Sequence, residues 1–206
     1  GGDLVPIEYR SPRASAQVKS AILLAGLSGG VRVRVSEPVR SRDHTERLLR
    51  AMGADIAFEH DDDGTPAVDF DPPEFLEPIH LTVPGDFSSA AFFIALGLLA
   101  PAGALRIPFV GVNPTRTGLL PVIARMGGSV QLYGACDVCG EPVADIVACP
   151  AALSGTTVAA DEIPAMIDEI PVLAVLAARA DGETRITGAG ELRVKESDRI
   201  AALARN

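Results

Sequence analysis

The chain has 206 residues, 48% of them apolar, 22% charged and 4% aromatic, with no Trp. This composition excludes a disordered tail, a collagen-like fibre and a small disulfide scaffold. The net charge is −9, and ten of the 27 acids fall between positions 51 and 105, where there is no Lys or Arg. An acidic chain of this kind lacks the cationic face that a nonspecific nucleic-acid binder needs for phosphates.

The opening GGDLVPIEYR has no charged head followed by an apolar stretch, so no signal peptide is expected. From Ser15 the sequence reads SAQVKSAILLAGLSGGVRVRV, a polar start, an almost charge-free helix, a break at Gly30 and a short alternating strand. A polar loop, Arg40-Ser41-Arg42-Asp43-His44, leads into a second, amphipathic helix that ends at Gly53. The acidic, proline-rich stretch 61–78 reads as a solvated hairpin or loop. Val83-Pro84-Gly85-Asp86 marks a domain junction, giving domains 1–83 and 84–206.

The first pattern then recurs. SSAAFFIALGLLAPAGALRI begins at Ser88 and breaks at Gly103; EIPVLAVLAARADGETRIT begins at Glu169 and breaks at Gly182. The second copy continues into another amphipathic helix ending at Gly127, and the third reaches a helix start near Asp198. Helices that are apolar all round predict burial on most sides, with the amphipathic partners outside, and the alternation with strands predicts an α/β fold. The uncharged run 87–105 is interrupted by Ser88, Ser89, Gly97, Pro101 and Gly103, which favours a core helix over a membrane span. No GxGxxG or GxxxxGK[ST] follows a strand, so neither a Rossmann nor a P-loop nucleotide site is supported. Cys136 and Cys139 form a CxxC, but Cys149 is the only other cysteine and no histidine lies nearby, so four zinc ligands are not at hand. Three cysteines fit a reducing, cytoplasmic compartment.

Two groups of residues could carry chemistry. Ser15-Ala16-Gln17 opens a helix, where unpaired N–H groups favour an anion, although Ser is also an ordinary N-cap. Arg193-Val194-Lys195-Glu196-Ser197-Asp198-Arg199 sets three cations and two carboxylates before a helix. Between them, Asp168-Glu169 precedes the third apolar helix, where an Asp would usually serve as N-cap. Helix starts, cations and carboxylates gathered in a cleft suit a small, highly anionic substrate undergoing proton transfer.

Five segments in this order, SAQVKSAILLAGL, SRDHTERLLRAMGA, VPGDFSSAAFF, MIDEIPVLAVLAA and ELRVKESDRI, closely resemble the 5-enolpyruvylshikimate-3-phosphate synthases (3-phosphoshikimate 1-carboxyvinyltransferases). The resemblance runs through the chain but takes in only about half of the family's length. It implies an inside-out α/β prism of βαβαββ units, with residues 1–83 the end of the first domain, 84–206 the start of the second, and the site in the interdomain cleft. It implies transfer of the enolpyruvyl group of phosphoenolpyruvate to the 5-hydroxyl of shikimate 3-phosphate, releasing phosphate, on the way to chorismate and the aromatic amino acids. By the same resemblance Ser15 and Gln17 bind shikimate 3-phosphate, and Gln17 also reaches phosphoenolpyruvate. Ala16 contributes through its backbone, and Arg42 lies beside the shikimate phosphate. Asp168 accepts the proton, Lys195 and Glu196 stand near the reacting carbons, and Arg199 binds phosphoenolpyruvate. Glu191 stands where other members have Asn and receives no role. The SAQVKSA and RDHTE forms resemble a subclass that includes glyphosate-tolerant members. Neither metal nor organic cofactor, nucleic acid nor membrane is implied, and the family suggests a monomer. The alternatives are UDP-N-acetylglucosamine enolpyruvyl transferase, on the same fold, and a non-catalytic half-protein acting as a binding module.

Overall fold

Helices and strands alternate along the whole of the computed structural model, which describes residues 4–194 and 197–205. Two compact units are present: Gly1–Thr82 with Asp137–Glu141, and Val83–Cys136 with Pro142–Asn206.

The first unit runs β1 (Ile7–Arg10), α1 (Ala16–Gly29), β2 (Val33–Ser36), α2 (His44–Ala51), β3 (Asp55–His60) and β4 (Pro66–Asp71). Its sheet has the order β1-β2-β4-β3, with β1 parallel to β2 and the other pairs antiparallel. A parallel pair needs a crossover, and α1 provides it. Gly30 closes α1 with φ 63°, a left-handed conformation that glycine adopts without steric cost. Leu23 of α1, Leu49 of α2 and Val33, Val35, Ile56, Val68 and Phe70 of the sheet form the core.

The sequence reading of 61–78 as a solvated hairpin or loop holds in part: β3 and β4 form an antiparallel hairpin that turns at 61–65, but its second strand is not solvated. Residues 66–71 form β4, the strand between β2 and β3, with Ala67, Val68, Asp69 and Phe70 all buried. The acids that obscured the strand are paired from neighbouring strands. Arg34 reaches Asp61 at 2.8 Å and also Asp69, Arg32 reaches Asp69 at 3.2 Å, and Arg10 reaches Asp63 at 2.6 Å. For Asp61, Asp63 and Asp69 the absence of Lys and Arg from 51–105 is thus offset by arginines elsewhere in the first unit, a long-range relation invisible in a local window.

The second unit begins with α3 (Phe87–Leu99), β5 (Leu105–Gly111), α4 (Leu119–Arg125), β6 (Ser129–Val138) and β7 (Glu141–Cys149). It continues with β8 (Thr157–Val158), α5 (Ile170–Arg179), β9 (Arg185–Ile186) and α6 (Arg199–Arg205). The sheets are β5-β7-β6 and a short parallel pair β8-β9. The order βαβαββ of the first unit is followed by αβαββ and then βαβα, so the repeats seen in the sequence are repeats of supersecondary structure. Ile94, Leu98, Leu119, Ile123, Leu173 and Leu176 pack α3, α4 and α5 together against Val110 and Ile146 of the sheet. Gly97 lets α3 approach β7: a Cβ there would lie 2.8 Å from Ala148 Cβ and 2.9 Å from Ala148 O.

The apolar helices are not buried all round as expected. α1 buries Lys19, Leu23 and Gly26 and leaves Val18 and Leu24 exposed. α3 leaves Phe92, Phe93 and Leu96 exposed, 54–65% of each. Each helix therefore packs on one side only, and apolar sequence on the other side finds no partner within its own unit. No helix among the described residues is long and apolar enough to cross a membrane.

Candidate active site

In the first unit the loop after β1 delivers Ser15 to the N-cap of α1. Its Oγ accepts a hydrogen bond from Val18 N at 3.4 Å, the ordinary capping contact. Ala16 and Gln17 occupy the first turn, and Gln17 is exposed. The turn contains no acidic residue, so the positive end of the helix is not neutralised from within. Arg42 lies half-buried in the loop between β2 and α2, next to Ser41, whose N–H donates to Glu37 Oε1 at 2.7 Å, and Asp43, which is fully buried. Arg40, the other cation of that loop, is committed elsewhere: it donates to Asp43 Oδ2 at 2.8 Å and its guanidinium lies 3.9 Å above the Phe58 ring.

In the second unit the starts of α3 and α5 converge. Asp86 caps α3, its Oδ2 accepting from Ser89 N at 2.8 Å and from Ser89 Oγ at 2.9 Å. Burial by itself would raise the Asp86 carboxyl; the two Ser89 bonds and Arg116 outweigh it and hold the carboxyl below its usual range. Ser88 Oγ donates to Glu169 Oε1, and Arg116, from the loop before α4, donates to Ser88 Oγ at 2.5 Å and to Asp86 Oδ1 at 3.0 Å. Arg116 lies 4.0 Å from Glu169, which is 1% exposed. This knot of two carboxylates, a hydroxyl and a guanidinium was missed by sequence reasoning. A signal existed: Arg116 occupies in the second repeat the polar loop that Arg40 and Arg42 occupy in the first.

Asp168 does not act as the expected N-cap of α5. It lies in a 3₁₀ turn, Ile167–Glu169, and Glu169 takes the cap position without a side-chain capping bond. Asp168 instead faces Arg199 at the start of α6, whose Nη1 donates to Asp168 Oδ1 at 3.0 Å. Both are partly exposed, 31% for Asp168 and 26% for Arg199, so the pair is within reach of a solute. Two residues chosen from motifs 31 positions apart are therefore in contact. Asp198 caps the beginning of α6: its carboxylate accepts from Ala201 N, and this bond, aided by Arg193, holds it below its usual range against the opposing effect of burial. Lys195 and Glu196 lie outside the described residues. Glu191 is exposed in a 3₁₀ turn. The described residues contain no group of His, Cys, Asp and Glu that could hold a metal ion, and the three cysteines are free thiols.

A family model described as EPSP synthase (3-phosphoshikimate 1-carboxyvinyltransferase) matches residues 1–206. Among curated proteins, 3-phosphoshikimate 1-carboxyvinyltransferase of Gloeobacter violaceus is 52% identical over 205 residues, covering all of this chain and 46% of the relative. The protein of the same name from Geobacter metallireducens is 50% identical, covering all of this chain and 47% of its own length. The solved EPSP synthase of Acinetobacter baumannii superposes with a TM-score of 0.87 at 42% identity, over 98% of this chain and 45% of that one. The enolpyruvyl transferase NikO of Streptomyces tendae shares the fold, with a TM-score of 0.62 at 24% identity over 88% of this chain and 43% of that one. The chain spans about half the length of the curated relatives it matches.

Proposed function

The chain belongs to the EPSP synthase (3-phosphoshikimate 1-carboxyvinyltransferase) family, and from that premise we propose that it carries part of the machinery moving an enolpyruvyl group from phosphoenolpyruvate to shikimate 3-phosphate. The fold is that of the enolpyruvyl transferases. In this reading residues 1–83 are the end of the first domain and 84–206 the beginning of the second, working in the cytoplasm on two small anionic substrates.

The roles follow the family resemblance, and the chemistry of the residues supports them. Each substrate carries a phosphate and a carboxylate, and cations and helix N-termini hold such groups through charge-assisted hydrogen bonds. Ser15, the Ala16 backbone, Gln17 and Arg42 take shikimate 3-phosphate; Arg199 takes phosphoenolpyruvate. Asp168 removes the proton of the 5-hydroxyl as its oxygen bonds to C2 of phosphoenolpyruvate, while C3 receives a proton. The tetrahedral intermediate then breaks its bond from C2 to the phosphate oxygen. Loss of a C3 proton restores the double bond, and phosphate and the enolpyruvyl ether leave. Lys195 and Glu196 serve the proton transfers at C3 and the charge on the intermediate.

One observation carries this assignment: the carboxylate and the guanidinium of two separate family motifs, Asp168 and Arg199, meet at 3.0 Å. In this reading the pair is the base and the cation for the leaving phosphate. The test is thermal protection of the chain, assembled with the family segments it does not span, by shikimate 3-phosphate against UDP-N-acetylglucosamine. Protection by the former supports the reading; protection by the latter alone overturns it in favour of the sister activity.

A further inference from the structure

Lys19 is the largest fully buried side chain of the first unit that carries a charge, and it lies between two carboxylates. Its Nζ is 2.9 Å from Glu37 Oε1 at the end of β2 and 2.8 Å from Glu46 Oε1 in α2, with all three side chains at most 4% exposed. Two buried acids against one buried base is an expensive arrangement. Apolar residues of similar volume usually serve stability as well or better. Burial pushes the Glu46 carboxyl above its ordinary range, and Lys19 opposes this only in part. The cluster is therefore poorly explained by stability.

Its connections suggest another use. Glu37 Oε1 accepts from Lys19 Nζ, from Ser41 N at 2.7 Å and from Ser41 Oγ at 2.8 Å, and Lys19 Nζ also donates to Ser41 O at 3.5 Å. Ser41 is thus fixed at its N–H, its carbonyl and its hydroxyl. On the other side of Arg42, Asp43 accepts from Arg40 and Arg47, each at 2.8 Å. Arg42 is the residue between these two anchored neighbours. Lys19 also belongs to the first turns of α1, where its N–H donates to Ser15 O at 3.0 Å, and the next residue, Ser20, shares a 2.6 Å hydrogen bond with Thr45 of α2.

We propose that Lys19, Glu37 and Glu46 are positioning residues that lock the Arg42 loop to the N-terminal turn of α1, so that Arg42 and Ser15 present one preformed site for a phosphorylated ligand. This rests on the reading of Ser15 and Arg42 as ligands of shikimate 3-phosphate. A preformed site binds without first ordering the loop, and the phosphate contact gains most from it.

Glu37→Ala is the discriminating variant, because it leaves Lys19 balanced by Glu46 and orphans no charge. Glu37→Gln restores the acceptor for Ser41. Binding of shikimate 3-phosphate and of unphosphorylated shikimate to the chain assembled with the family segments it does not span is followed by nuclear magnetic resonance titration, together with amide hydrogen exchange of Ser41 and Arg42. In Glu37→Ala the preference for the phosphorylated ligand falls about tenfold and exchange at both amides accelerates; Glu37→Gln returns both to within about twofold of the parent. A general loss of stability would weaken both ligands equally and leave their ratio unchanged. Parent-like preference and exchange in Glu37→Ala overturn the proposal. Arg42→Ala tests the underlying reading separately: if it leaves the preference untouched, Arg42 is not the phosphate ligand, and the exchange rates alone then decide whether Glu37 anchors the loop.

Discussion

Ser88 Oγ at the start of α3 donates a hydrogen bond to Glu169 Oε1 at the start of α5, tying together two helix N-termini 81 residues apart. Glu169 is buried, so its neighbour Asp168 projects from a turn whose position is set by the core and is left to pair with Arg199. If Asp168 is the proposed base, which must meet one hydroxyl in one orientation, such a fixed mount serves it.

Asp168→Asn therefore tests the chemistry with little disturbance of the fold. In enzyme assembled with the family segments that this chain does not span, turnover should fall by roughly 10²–10⁴, the scale for losing a general base. The Michaelis constant for shikimate 3-phosphate should change far less, since the amide keeps the size and part of the hydrogen bonding. Steady-state phosphate release at saturating substrate measures this. Near-parental turnover would reduce Asp168 to a structural partner of Arg199.

Asp86 caps α3 and pairs with Arg116. Asp86→Ala should destabilise the chain by about 1–2 kcal/mol at neutral pH, a cap contributing about 1 kcal/mol and the ion pair, in which Asp86 is half exposed, less. The pH dependence has a definite sign. The folded carboxyl titrates below its unfolded value, so its contribution is present above about pH 4, the ordinary carboxylate range, and is lost as the pH falls through the depressed folded value. Urea denaturation of parent and variant at pH 7 and pH 3 should show the gap narrowing in acid. A constant gap would mean that Asp86 acts by packing and not by charge.

At Gly97 two effects of opposite sign compete. Ala is the better helix former by about 1 kcal/mol in an exposed helix interior. Here, however, the added Cβ would meet Ala148 Cβ at 2.8 Å and the Ala148 carbonyl at 2.9 Å, and a backbone atom in a sheet cannot step aside cheaply. Overpacking of this kind costs about 1–3 kcal/mol. Gly97→Ala should thus lower the melting temperature by a few degrees, at about 2–4 °C per kcal/mol for a chain of this size. A raised melting temperature would show that α3 and β7 are less tightly apposed than these distances require.

The repeats were legible because they are local. Gly30, Gly103 and Gly182 were chosen from sequence as helix breaks, and all three have positive φ just past the ends of α1, α3 and α5. β4 was not legible, since Asp69 interrupts its apolar pattern, and Arg34 of β2 and Arg32 just before it make a buried acid tolerable there. The same holds within the site. Asp168 and Arg199 could be named from motifs, but the knot of Ser88, Arg116 and Glu169 depends on three loops meeting, and so does the cluster of Lys19, Glu37 and Glu46. Isolated polar residues near helix starts read as caps. Their contacts with one another appear only when the fold brings them together.

The 206-residue chain alone should not turn over phosphoenolpyruvate at a useful rate. The relatives are about twice its length, and by the family resemblance the segments it does not span carry further Lys and Arg contacts to both substrates. Charge-assisted hydrogen bonds contribute roughly 1.5–3 kcal/mol each. Three of them would amount to about 4.5–9 kcal/mol if additive, which neighbouring contacts seldom are. At about 1.4 kcal/mol per decade, binding alone would fall by on the order of 10³ to 10⁶. The exposed apolar sides of α1 and α3, with Leu24, Phe92, Phe93 and Leu96, add a second handicap, since unpartnered surface of that kind promotes association. Phosphate release from phosphoenolpyruvate plus shikimate 3-phosphate should be measured with the chain alone and then with the complementary family segments added. Activity restored on mixing, with a shift from self-associated species to a defined complex in analytical ultracentrifugation, is the expected outcome. Full activity of the chain alone would show that Ser15, Gln17, Arg42, Asp168 and Arg199, with Lys195 and Glu196, suffice for the reaction, and that no essential ligand lies in the remaining half of the family fold.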